Sequence, residues 1–416
     1  MAGTVRDGLR LLRTGNFSRL FAAYLITNTG SAMAPIAMAF GVLDLTGSTR
    51  TSAYVVAAPV VAQVIILMVG GALADRTSRQ RIMVSADVLS ALSQTLVASL
   101  FLTGAASVPL LIALMLVSGA AHAFHQPAAM GFIPQVVKAH ELQAANALLG
   151  AARSSATMIG AALAGVLVAG FGAGVTLAID AASFLVAGML VASLRVRAQE
   201  RTAPASILED LRLGWREFFS HQWLWTIVFQ FTILVMGYEA LFALIGPAVA
   251  RDSMNGAGDW GFIMACFGAG TISGGLVALR LRVQRPMLVA TLMTLLWSPL
   301  PMLMAWHAPL LLLAAAGFVM GMTGQIFGVL WSTTLHTRIP SHLLSRVAAY
   351  DHLGSVAMAP VGVVVAGMLY EDIGATPTLW LIAAAIIVPT VLVLFVPDVR
   401  RLRATTAVTS PQSPAD

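Results

Sequence analysis

The sequence predicts an all-α membrane protein of about twelve transmembrane helices in two six-helix repeats, and three observations carry that prediction. The first is composition: 58% of the residues are hydrophobic, 10% are charged and the mean hydropathy is +0.85. A soluble domain of that make-up would have too few polar residues to cover its surface. The second is a dense charge cluster, Gly71-Ala-Leu-Ala-Asp75-Arg76-Thr-Ser-Arg79-Gln-Arg81, set between the apolar runs Thr51 to Leu73 and Ile82 to Gly104. Each run exceeds the roughly 20 residues that a helix rising about 1.5 Å per residue needs to cross about 30 Å of hydrocarbon. The cluster therefore reads as a tight turn between two spans. The third is self-similarity: Gly71, Arg76, Gln80 and Arg81 recur 204 residues later as Gly275, Arg280, Gln284 and Arg285, and Gly160, Ala164 and Gly165 recur 202 residues later as Gly362, Ala366 and Gly367. An even number of spans returns the chain to its starting side, so two halves in the same orientation account for both repeats.

The same length rule marks the spans in order: 16–43, 50–73, 82–104, 108–134, 143–169 and 173–196, then 223–249, 257–279, 286–306, 309–335, 344–369 and 376–397. The first six make an N-terminal half, 1–196, and the last six a C-terminal half, 223–403. The first span is too long, and lacks a cleavage-like site, to be a removed signal peptide. Residues 197–222 form a linker with order of its own: Ser206-Ile-Leu-Glu209 has the capping-box pattern. Ile207, Leu208, Leu211, Trp215, Phe218 and Phe219 then recur at helical spacing, with Asp210, Arg212, Arg216 and Glu217 on the other face. This predicts an amphipathic helix in the plane of the inner leaflet, with a partner-binding segment as the alternative. The Thr-, Ser- and Pro-rich tail, 404–416, is expected to be disordered.

Orientation follows from Lys and Arg, which concentrate in cytoplasmic segments. With the N-terminus inside, 21 of the 24 basic residues fall in the inner segments, including Arg76, Arg79, Arg81, Lys138, Arg280 and Arg285. Only Arg50 and Arg251 fall in outer turns, and Arg153 lies within a span. Both termini are thus expected to be cytoplasmic, in a multi-pass protein of the inner (plasma) membrane. The net charge of +6 suits anionic inner-leaflet lipid and not nucleic acid, because the arginines are spread over short loops without interleaved aromatics. The single Cys266 excludes an intramolecular disulfide and a Cys-based metal cluster.

The pattern Gly71-x-x-x-Asp75-Arg76-x-x-Arg79-x-Arg81 after the second span of a duplicated chain resembles the loop 2–3 signature of the major facilitator superfamily. Asn16-Phe-Ser-Arg-Leu-Phe21, Gly30-Ser31, Leu43-Asp-Leu-Thr-Gly-Ser48, Pro59, Ala145-Asn-Ala147 and Asp180-Ala-Ala-Ser-Phe184 together resemble its branch of macrolide-efflux and siderophore-exporter-like drug:proton antiporters. The resemblance covers residues 16–397. It departs from the branch in two places: span 4 lacks the arginine that many antiporters carry there, and Ala161 stands where the span 5 glycine motif often has proline.

From the residues alone, Gly71 lets helices approach closely and Asp75 can serve a neighbouring helix N-terminus, where an anion gains about 0.3–1 kcal/mol. Arg76, Arg79 and Arg81 can bridge the turn to acids or lipid phosphates, or act only as topological anchors. The resemblance implies that the neighbour is span 11 and that these five residues form a conformational gate on the inner side. It also implies that spans 1, 4, 7 and 10 line a cavity while spans 3 and 6 are peripheral supports.

A charge inside a span costs about 2.5–3.5 kcal/mol on insertion scales and is rarely idle. Because the resemblance makes span 7 cavity-lining, it implies that Glu239, near the middle of that span, is the leading proton carrier; desolvation there favours the neutral carboxyl and lets it exchange protons near neutral pH. Its alternative is a satisfied acid facing a polar neighbour. Arg153 either offsets Glu239, contacts an anionic substrate or makes a static interhelical pair, and Asp351 is placed at the inner gate. Asp87 and Asp180, on the supporting spans, are expected to be structural, pairing with inner-loop arginines or capping backbone. His122 and His125 share a helix face but make a weak metal site, and no metal or cofactor is expected.

For the cavity, Asn28, Gln63, His125, Gln230, Gln325 and Trp331 are the candidate substrate contacts. They offer sparse hydrogen bonding among methionines and aromatics, which suits a bulky amphipathic compound better than a sugar. The expected function is proton-coupled efflux of such a compound by a transporter that is not an enzyme. Import or uniport of a small nutrient is the first alternative, and a membrane enzyme or channel the second. No nucleophile elbow, His-Glu metalloprotease helix or phosphate-cradling loop is present in the sequence. The expected partners are the substrate, protons and membrane lipid, without nucleic acid, in a monomer.

Overall fold

The protein, a computed structural model, is described over residues 11–74, 78–138, 141–195, 215–281, 283–340 and 357–403, with 343, 344, 347, 350, 351, 354 and 355. The side chains of 67–74, 143 and 147 are not among those described. Asp75, Arg76, the surroundings of Gly71, most of the linker (197–214) and the 404–416 tail therefore lie outside the described residues.

Only a helix satisfies its own N–H and C=O groups within hydrocarbon, and the long apolar runs are helices. They are α1 (Gly15–Thr46), α2 (Thr49–Ala74), α3 (Arg79–Leu102) and α4 (Val108–Val136). Leu142–Ala192 then runs on as helix except at Gly172, whose φ of 80° and ψ of 173° are open to glycine and strained for other residues. That break separates α5 (142–171) from α6 (173–192) where the sequence places a turn. The second set is α7 (Gln222–Ser253), α8 (Ala257–Arg280), α9 (Pro286–Ala305), α10 (Leu310–Arg338), α11 (Ala359–Ile373) and α12 (Ala375–Val393), followed by the short α13 (Pro397–Arg401). Ten stretches are long and apolar enough to cross a bilayer. One holds both α5 and α6, and α11 completes the twelve. No strand occurs among the described residues.

Proline shapes two of these helices. Pro247 lacks the N–H that would bond the carbonyl four residues earlier, and α7 widens just before it into a π-helical turn, Leu241–Ile245, directly after Glu239. In α9 the helix is interrupted between Leu295 and Pro299.

The repeated glycines do matching work in the two halves. Gly160 of α5 abuts the Thr29 carbonyl of α1, and Gly362 of α11 abuts the Met236 carbonyl of α7. Gly165 of α5 meets Gly261 of α8, and Gly367 of α11 meets Ala53 and Thr49 of α2. The fifth helix of each half thus touches the first helix of its own half and the second helix of the other. A side chain at any of the four would collide with its neighbour, so small residues set the helix spacing.

The opening motif and the charge cluster also share a structural task. Asn16 Nδ2 donates to the Arg195 carbonyl at 2.9 Å, and Gln80 Nε2 donates to the Val191 and Leu194 carbonyls at 2.8 and 2.9 Å. These bonds satisfy carbonyls left open at the end of α6. Of the linker, 215–220 is helical. Phe218 there is buried, 6.0 Å from the Tyr350 ring, and Trp215, though exposed, lies 5.5 Å from that same ring, while Phe219 stays exposed. This end of the linker therefore puts part of its apolar face on protein and leaves the rest outward.

Candidate functional site

A cavity of about 210 Å³ lies where the two sets of helices meet. Gln63, Gln94, His122 and Asp180 line it from α2, α3, α4 and α6, and Glu239 lines it from α7. The rest of the wall is mostly apolar, Met38, Met115 and Val363 among it, and no Lys or Arg lines it among the described residues. Asp180 is buried and accepts a 2.8 Å hydrogen bond from Gln94 Nε2, and the Ser183 hydroxyl bonds the Asp180 carbonyl at 2.7 Å. It reaches the cavity because α1 presents Gly30 at that level, where any side chain would strike Asp180 and Ser183. Helices 3 and 6 are thus part of the cavity wall and not only supports.

Glu239 differs from Asp180. Among the described residues no hydrogen bond or ion pair reaches its carboxyl. On the same helix, Tyr238 stacks on Phe242 at 4.4 Å and touches Trp297 at 5.8 Å, and Trp297 leads to Phe231 at 6.2 Å and Phe231 to Phe327 at 4.4 Å.

A second cluster lies beside the cavity in the first half. Asp87 of α3 is 3.4 Å from His125 Nε2 of α4, and the His122 ring lies nearly parallel to that of His125 with centroids 6.4 Å apart. Arg153 of α5 is exposed and within Coulombic reach of Tyr24 and His122.

The end of the molecule that carries the α1–α2 turn is closed by charged contacts between the halves. Arg50 pairs with Glu371 at 3.5 Å and also with Asp372, and Arg251 pairs with Asp44 at 2.9 Å. The Tyr370 hydroxyl donates to Asp252 at 2.9 Å, and Asp252 also pairs with Arg251 at 3.3 Å. At the opposite end, Gly150, Ala151, Arg153, Ser154, Ser155 and Thr157 of α5 are all exposed. That run covers more than one side of the helix, so α5 borders open space there toward the bundle as well as outward.

A model of the family described as transmembrane secretion effector matches residues 7–415, almost the entire chain. The chain belongs to that family, within the major facilitator superfamily. The transporter is 25% identical to the multidrug efflux pump Tap of Mycolicibacterium fortuitum, over 97% of this chain and 98% of that one. It is 23% identical to the uncharacterized MFS-type transporter YvqJ of Bacillus subtilis, over 86% and 87%. The solved nucleoside transporter NupG superposes with a TM-score of 0.71 at 13% identity, covering 92% of this chain and 98% of that one, a likeness of fold.

Within the transporter, Gln63 and Glu239 line the cavity as the sequence suggests. His125 does not: it turns to Asp87, and His122, one helical turn earlier, takes the place at the wall. Gln230 is fully buried away from this cavity, donating to Thr390 at 2.8 Å and Thr294 at 3.2 Å, and so ties α7 to α9 and α12. Asn28 donates back to the Tyr24 carbonyl at 2.7 Å within α1, and Gln325 of α10 is half-buried near Gly275; neither lines this cavity. Trp331 Nε1 donates to Asp351 at 2.9 Å, which fixes α10 against the chain leading into α11.

Arg153 makes no ion pair with Glu239 among the described residues. Of the charge cluster, Arg79 donates to the Gly131 carbonyl of α4, inside its own half, and Arg81 is exposed without an ion pair among the described residues. Among the described residues Asp180 and Asp87 pair with Gln94 and His125 and not with loop arginines. The residues missed from sequence are Gln94, Asp44, Glu371 and Asp372. Arg50 and Arg251 carried a signal: they are the two arginines outside the inside-positive pattern.

Proposed function

We propose that this transporter exports an amphipathic small molecule across the plasma membrane, driven by protons, through alternating access of the central cavity. The supporting observation is Glu239, an acid without a partner among the described residues, in a wall built by both halves. A charge left in an apolar wall is costly. The carboxyl is best neutral when the cavity is shut off and best charged when water enters, which is the cycle a proton carrier needs. One proton moving down 100 mV supplies about 2.3 kcal/mol, enough for roughly a fifty-fold cargo gradient.

With both termini cytoplasmic, the clamped end faces outward and the exposed end of α5 faces the cytoplasm, so the conformation is inward-facing. The latch at Gly71, Asp75 and Arg76 then belongs to the opposite, outward-facing state. Two carboxyls with no Lys or Arg at the wall disfavour an anionic cargo. Relatives named multidrug efflux pumps support export. The cavity volume favours the alternative: about 210 Å³ is below the roughly 300–1,000 Å³ of drug-sized pockets. A bulky cargo fits only as the halves part, whereas a small imported solute fits as it stands.

The test is uptake of amphipathic antibiotics into everted vesicles, with and without a protonophore. Uphill accumulation that collapses with the protonophore is expected. Accumulation indifferent to the protonophore would remove proton coupling, and accumulation seen only in right-side-out vesicles would establish import.

A further inference from the structure

We infer that the Asp87–His125 pair is a second proton-binding site, filled from the central cavity past His122. The inference rests on the proton-coupled reading but concerns different residues from Glu239. Asp87 is 2% exposed; one carboxyl oxygen faces His125 Nε2 at 3.4 Å and the other is buried with no partner among the described residues. An unpartnered oxygen at that depth is costly for a purely structural pair. It leaves a lone pair free to take a proton.

The charged and titratable groups around the pair come from five helices. His122 and His125 stand on α4, Tyr24 of α1 lies within Coulombic reach of Asp87, and Arg153 of α5 lies within reach of Tyr24 and His122. From α6, Gly188 faces Asp87, and Asp180 is already held by Gln94 of α3. No Lys or Arg pairs with Asp87 among the described residues. A carboxylate beside a neutral imidazole therefore leaves one uncompensated negative charge in a low-dielectric site, and one proton cancels it. Among the described residues no group of three or more His, Cys, Asp or Glu is arranged to hold a metal ion.

The route is short. His122 lines the cavity, and its ring is 6.4 Å from that of His125 by centroid. That spacing exceeds a hydrogen bond, so transfer passes through one bridging water or a rotation of either ring. A proton taken from cavity water by His122 leaves its other ring nitrogen to His125, which shares it with Asp87; release runs in reverse. The first half would then carry its own proton beside the one assigned to Glu239.

The test reads protons directly and needs no cargo. The full-length transporter in lipid nanodiscs is titrated by infrared difference spectroscopy of carboxyl bands and by nitrogen-15 histidine NMR. Wild type should show a carboxyl and an imidazole titrating together between about pH 5 and 9. Asp87→Asn should remove that carboxyl and move the His125 midpoint by about one pH unit or more, and His122→Phe should slow proton uptake after a pH jump. A wild type in which no histidine titrates with a carboxyl overturns the inference and needs no variant to fold. So does an Asp87→Asn spectrum identical to wild type. Glu239→Gln separates the two ideas: if it removes a carboxyl band while Asp87→Asn removes none, the second site fails and the Glu239 reading stands; the converse leaves the second site standing alone.

Discussion

In the first half the two buried acids are held from neighbouring helices, Asp87 by His125 and Asp180 by Gln94, whereas in the second half Glu239 has no such partner among the described residues. The two halves repeat each other in helix order and in glycine contacts, so the difference is not one of fold. It shows what a buried acid is for. A partnered carboxyl joins helices and loses stability when cut, while an unpartnered one contributes little to stability and is free to change charge. Asp87 stands between the two, with one oxygen held and one free.

The largest stability effect should follow from cutting a partnered acid. Asp180→Leu strands the Gln94 amide in the wall and should cost about 1–3 kcal/mol, read as a lowered thermal midpoint in detergent; Glu239→Gln should stay within about 0.5 kcal/mol of wild type. Equal losses for the two would erase the contrast. Next in size is the clamp. Its pairs are exposed, and each is worth about 0.2–1 kcal/mol, so Arg50→Ala with Arg251→Ala, which removes three pairs between the halves, should raise outside labelling of a cysteine at Val60, in a Cys266→Ser background, by at most about 150-fold. Unchanged labelling would mean that the clamp does not set the closed state.

Asp75→Asn should slow transport and weaken cross-linking between the inner ends of α2 and α11 while insertion is unaffected. Normal transport with normal cross-linking would reduce the charge cluster to a topological anchor. The smallest effect is expected at Arg81→Ala, within about 0.5 kcal/mol in stability, because its side chain is exposed without an ion pair among the described residues.

Periodicity and length are local properties, and eleven of the spans read from them match the helices to within a few residues, including the break at Gly172, whereas span 344–369 stands against a described helix at Ala359–Ile373. The glycine repeat was legible for the same reason: a missing side chain marks a close approach wherever it occurs. Which helix approaches was not legible. Asp180 reaches the cavity because Gly30 of another helix lets α6 in, and His125 turns to Asp87 because α3 brings that acid to its level. Gln230 looks like a cavity residue on a span expected to line the cavity, yet two threonines from α9 and α12 claim it. The π turn after Glu239 had a cue in Pro247, since a proline inside a span forces the backbone to adjust.

The central claim is that Glu239 carries the coupling proton, and Glu239→Gln in proteoliposomes tests it most directly. The glutamine mimics the protonated acid, so counterflow of a transported compound should persist while uphill efflux driven by a pH gradient disappears. Uphill efflux at the wild-type level would contradict the account, and loss of counterflow as well would place Glu239 in cargo binding or structure and not in coupling.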